Sequence, residues 1–100
     1  GETCTLWRPP VDGFLYMEPG MVVSEPFRAR SDVVVSCLPA GRAAHYLLVG
    51  GFAALPAAWA RLFAWCEAER LALAGVNWEV YAPAPAEPAL QETRLYALLA

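Results

Sequence analysis

Glu79 is the side chain in this chain best placed to do chemistry. It stands in Asn77-Trp78-Glu79-Val80-Tyr81-Ala82, whose aromatic and β-branched residues favour a strand. Side chains alternate between faces along a strand, so Glu79 and Tyr81 share one face while Trp78, Val80 and Ala82 share the other. The second set reads as core. A carboxylate among rings is costly if buried without a partner. It becomes useful if a cation, a basic side chain or a substrate meets it. The plainer alternatives are a Glu on a solvent face or one paired with an Arg. Other reactive types are sparse. Cys4, Cys37 and Cys66 are widely spaced and form no C-x-x-C pair, and the single His45 cannot complete a usual zinc set. The cysteines read as reduced, packed thiols of a cytoplasmic protein, and His45 as a surface or core residue of its strand. No metal and no cofactor is expected. There is no phosphate loop and no Ser–His–Asp arrangement.

These residues need a scaffold, and the composition allows one small domain over residues 1–100. The chain is 58% hydrophobic and 17% charged, enough to bury a core and leave apolar surface for a pocket or a subunit contact. Its net charge is −3, and the seven basic residues are scattered. Without a basic cluster, direct nucleic-acid binding by this chain is not expected. A mild acidic bias is compatible with a cationic ligand. No apolar run is long and clean enough to span a membrane, and the start lacks a signal peptide's basic head and apolar stretch. Gly1 in place of Met suggests a trimmed tag or an excised domain.

The elements follow from periodicity and punctuation. Residues 1–12 read as an irregular segment, with Pro9-Pro10 forbidding a helix, and residues 13–100 as the core. Gly13–Met17 reads as a strand ended by Glu18-Pro19-Gly20, and Met21–Ser24 as a short edge strand. Asp32–Leu38 is nearly continuous in apolar residues, which suits a central strand. Arg42–Val49 is a further strand, with Ala44, Tyr46 and Leu48 on one face. From Pro56 to about Arg70 the period becomes helical, through Trp59, Leu62, Phe63 and Cys66. Pro56 suits the first turn and Gly75 lies just past the end. Trp65 lies off the centre of that stripe by roughly 110°, so it either covers a neighbouring element or lines a cavity. Asn77–Ala82 and Thr93–Leu99 are strands separated by a loop rich in proline. This order is α+β: an antiparallel sheet with one main amphipathic helix on one face.

From Leu38 onward the chain resembles the gyrase-inhibitor-like (GyrI-like) small-molecule-binding domain, which is also the effector-binding module of multidrug-sensing MerR-type and AraC-type transcription regulators. Leu38-Pro39-Ala40-Gly41-Arg42 looks like the turn before the strand leading to the ligand site. Gly50-Gly51-Phe52 followed by Leu55-Pro56 looks like the family's "G-P-Y … L-P" approach to the helix. Ala58-Trp59-Ala60-Arg61-Leu62-Phe63-Ala64-Trp65 resembles its "A-W-x-x-L-x-x-W" helix, and Glu79-Val80-Tyr81 its "E-V-Y" strand. More loosely, Gly13–Pro19 resembles the end of the family's first half. Family domains are longer and contain two similar βαββ halves. Here the first half has no recognisable leading strand and helix, so the chain looks like a shortened version. It is either a natural minimal variant or a pocket completed by another chain, such as a second copy in a homodimer.

The resemblance implies a ligand cleft with Glu79 at its base. By matching position, Tyr81 and Phe52 would line it, and Tyr16 would come from the first half. Trp65 and Tyr46 join this candidate set from their placement on the helix flank and the strand face. Rings and a carboxylate together suit a lipophilic, cationic or aromatic small molecule, with cation–π contacts of about 0.5–2 kcal/mol each. Three functions remain open. The first is a ligand-sensing effector module. The second, as in some relatives, is a hydrolase of strained cyclopropane-containing natural products, with Glu79 as general base and Tyr16 or Tyr81 orienting substrate or water. The third is a protein-interaction module like the gyrase inhibitors.

Overall fold

The computed structural model describes residues 2–24, 33 and 36–100. The described residues form five strands and one α-helix: β1 (Thr3–Val11), β2 (Phe14–Met21), β3 (Ala43–Val49), α1 (Leu55–Ala68), β4 (Leu73–Tyr81) and β5 (Glu92–Leu99). The strands make one antiparallel sheet in the order β2-β1-β4-β5-β3. The α+β architecture with a helix on one face is therefore as expected.

Several details differ from the sequence reading, and the expected edge strand Met21–Ser24 is not a separate element, since Met21 ends β2 and 22–24 form no strand. Residues 2–12 are not irregular, because Thr3–Val11 is a strand lying between β2 and β4. Its prolines sit where both ladders stop. Pairing with β4 ends at Trp7↔Asn77, and pairing with β2 shifts register between Arg8 and Val11. A residue without an N–H is tolerated where no ladder bond is required. Second, Glu18-Pro19-Gly20 does not end a strand. β2 runs through it to Met21 as the edge of the sheet, where Pro19 can leave its nitrogen unpaired. Asp12 and Gly13, both at positive φ, make the tight hairpin turn between β1 and β2. Third, α1 ends at Ala68, close to the expected end, but the left-handed stop after it is Arg70 (φ 57) and not Gly75. Leu71 N–H reaches Cys66 O and Arg70 N–H reaches Glu67 O, a Schellman stop that turns Leu71 back onto the core. Gly75 lies inside β4, where its φ of 87 serves the register irregularity beside Pro9. Of the expected strand Asp32–Leu38, residues 32, 34 and 35 lie outside the described residues, and 36–38 form no regular element.

Helix α1 lays Ala58, Leu62 and Cys66 against Ala44, Leu48, Leu95 and Ala97. This core lies on the Glu79 face of β4, because Glu79 registers with Leu95 and Asn77 with Ala97. Trp78 is buried on the opposite face, stacked on Tyr96. The helix thus covers the β3–β5–β4 half of the sheet. No helix among the described residues is long and apolar enough to cross a membrane.

Candidate functional site

The centre of the sheet brings Thr5 of β1 opposite Glu79 of β4, and Thr3 opposite Tyr81. Alternation puts all four, with Trp7, on the helix side. One turn into α1, Trp59 projects over the same place. Its indole Nε1–H donates to Glu79 Oε2 at 2.6 Å, and the Tyr81 hydroxyl donates to Glu79 Oε1 at 2.6 Å. The Tyr81 and Thr5 hydroxyl oxygens are 3.0 Å apart. Since Tyr81 has one proton and spends it on the carboxylate, Thr5 is the donor of that second bond. Trp7 meets Trp59 edge to face at 6.5 Å between ring centres.

Glu79 is only 3% exposed. Both its oxygens accept from neutral donors, and among the described residues no basic side chain forms an ion pair with it. Arg94 registers with Val80, so it lies on the other face of the sheet. Burial and the neighbouring Glu79 push the Tyr81 hydroxyl up to about 12, with Thr5 pulling the other way. Neutral Tyr81 is thus favoured by folding. Its contribution is fully present below the ordinary value of 10.0 and is lost as pH rises through about 12. Ultraviolet titration of the tyrosines should show one late phase near 12 that moves down in Glu79→Gln. A late phase unchanged by Glu79→Gln would show that the carboxylate is not its cause.

Beside this group lies an open cleft of about 570 Å³, with Thr3, Phe52, Leu55, Tyr81, Ala82 and Gln91 among its lining residues. Phe52 stands edge-on to Tyr81 at 5.8 Å. The short 3-10 turn Phe52–Ala54 places that ring, because it delivers the chain from Gly51 into α1. The Gln91 amide is tied to the carbonyls of Ala82 and Glu92, which fixes the far wall.

Of the six side chains singled out in the sequence, Tyr81 and Phe52 line this cleft, while Glu79 lies behind Tyr81, bonded to its hydroxyl and outside the lining. Tyr46 is on the same face, but two strands away, in the row Glu79–Leu95–Tyr46, and packs against the core. Tyr16 belongs to the edge strand and pairs with Arg8, whose alternation places both on the opposite face. Trp65 is 52% exposed and stands on another side of α1. Trp59, Trp7 and Thr5 were not singled out. Trp59 reads as ordinary core from its helical spacing. Trp7 and Thr5 were hidden in a segment that prolines made look irregular.

The GyrI-like small molecule binding domain family matches residues 6–99. The chain belongs to that family. No curated protein matches the chain.

Proposed function

We propose that this domain binds lipophilic, cationic or aromatic small molecules over Glu79, as the ligand-sensing module of a transcription regulator. The observation that carries the reading is a nearly inaccessible carboxylate held by Trp59 and Tyr81, with Trp7 against Trp59, and with no basic partner among the described residues. Two neutral hydrogen bonds offset only part of the cost of burying a carboxylate. A ligand cation supplies the missing charge, and the rings add cation–π attraction. Aromatic surfaces accept varied shapes, so selectivity follows charge and size more than outline. Family membership supports a small-molecule ligand, and the resemblance to effector modules supports the sensing role. The same geometry weighs against Glu79 as a general base, since both its oxygens are held by short bonds from protein donors.

The test is a tryptophan-fluorescence titration with an aryl trimethylammonium compound and its uncharged tert-butyl isostere. The cation should bind at least about 10-fold more tightly, a difference of about 1.4 kcal/mol. Equal affinity for the two would remove the charge-partner role from Glu79. In a thermal melt without ligand, Trp59→Phe, which keeps a ring and deletes the N–H, should lower stability by about 1–3 kcal/mol, because a buried acceptor loses its donor. An unchanged melting temperature would mean the 2.6 Å bond contributes nothing net.

A further inference from the structure

The two ends of the sheet are built alike but finished differently. Hairpin β1–β2 and the pair β4–β5 flank the central β1–β4 contact. β5 has β3 on its outer edge and α1 over its helix-side face. At the equivalent places β2 has neither among the described residues. All eight residues of β2 are exposed, and Phe14, Leu15, Tyr16, Met17 and Met21 are 49–69% exposed. The one acid on this strand, Glu18, is already paired with Arg8 at 3.2 Å.

We propose that β2 is a homodimer interface, pairing antiparallel with β2 of a second copy about a two-fold axis at Met17. The register follows from the backbone. Pro19 has no N–H, so Thr5↔Pro19 is a pair whose backbone groups point away from each other. The bond from Val22 N–H to Glu2 O, 2.9 Å, confirms the same phase on the even-numbered residues. The N–H and C=O of Leu15, Met17 and Met21 therefore point away from β1, on the side where no strand of the described residues pairs with β2. Centring the axis on Met17 pairs residues 14–20 of the two copies. Met17 then bonds its own copy twice, Leu15 N–H meets the second copy's Pro19 carbonyl, and Glu18 faces Tyr16. An axis at Glu18 would instead set two like charges opposite each other, which is unfavourable.

Size and closure agree with this occupant. Five large apolar side chains of ~200 Å² each, a little over half exposed, present about 600 Å² per copy, the ceiling on what pairing can cover. The ceiling for the pair is about 1,200 Å² in all, the low end of specific interfaces. Pairing β2 with β3, the opposite edge strand among the described residues, would be head-to-tail and would give rings or open chains, not a two-fold dimer. The two-fold pairing closes, joins the sheets into one of ten strands, and brings the helix-free faces of both β1–β2 hairpins side by side. This inference does not depend on what the Glu79 site binds.

Sedimentation equilibrium on the full chain tests it. Wild type should have twice the single-chain mass of 10.9 kDa. Met17→Lys and Leu15→Lys should each return it to the single-chain mass with unchanged circular dichroism. As a second handle, Met17→Cys in a Cys37→Ser background should form a disulfide-linked dimer in air, because hydrogen-bonded pairs set Cα atoms about 5.5 Å apart. A single-chain mass for wild type at its highest soluble concentration would overturn the proposal. So would a dimer that persists in both lysine variants, or a mass that keeps growing with concentration, the mark of β2–β3 pairing.

Discussion

Glu79→Gln should weaken binding of a lipophilic cation by about 10–100-fold and leave binding of its neutral isostere within about 2-fold, which corresponds to about 1.4–2.7 kcal/mol lost on the charged ligand alone. The size of the effect comes from burial. Exposed ion pairs contribute 0–1 kcal/mol because water screens them. Glu79 is 3% exposed, so its field acts through a medium that screens far less. The substitution is also clean. Gln has the same shape, its oxygen can still accept from Trp59, and its amide can donate to the Tyr81 oxygen. The fold should survive, because the variant no longer buries a carboxylate. Titration calorimetry of both ligands against both proteins checks this. Loss of the neutral ligand to the same degree would point to a collapsed cleft and not to a missing charge.

Leu95→Ala should destabilise the domain by about 3–5 kcal/mol, the range for emptying a fully enclosed leucine site. Leu95 is 0% exposed and lies in the core with Leu62, Cys66 and Leu48. It also sits in the cross-strand row between Glu79 and Tyr46. Domains of this size are stable by only about 5–15 kcal/mol, so the loss is a large share of the whole. The melting temperature should fall by at least about 10 °C. Urea unfolding gives the number directly, and a change below about 1 kcal/mol would mean the core is not organised around this residue.

What could be read from the letters depended on how local the cause was. Helix α1 was legible because Leu62, Phe63 and Cys66 recur at helical spacing, and Pro56 marks its start. Glu79 and Tyr81 were legible as sharing a face because alternation is a local property of one strand. The burial of Glu79 was not, since it depends on Trp59, twenty residues away in the chain. Which face Tyr16 takes relative to Glu79 was also beyond reach. That is set by the β1–β2 and β1–β4 registers, and a shift of one residue reverses it. Strand β1 was masked by Pro9-Pro10, although Thr3-Cys4-Thr5-Leu6-Trp7 is rich in strand formers and carried the signal for Trp7. Trp65 lies off the main stripe of α1, and only the placement of neighbouring elements could separate a covering role from a cavity wall.

A ligand cation that meets the Glu79–Trp59 pair is reported directly by the indole N–H signals of the four tryptophans. Proton–nitrogen NMR should be recorded while the aryl trimethylammonium compound is titrated in. Trp59 donates to the carboxylate and Trp7 meets its ring, whereas Trp65 stands on another side of the helix and Trp78 on the opposite face of the sheet. The signals of Trp59 and Trp7 should move with saturable dependence on ligand, and those of Trp65 and Trp78 should stay in place. Saturable shifts at Trp65 or Trp78 with Trp59 unmoved would place the ligand elsewhere and contradict the account.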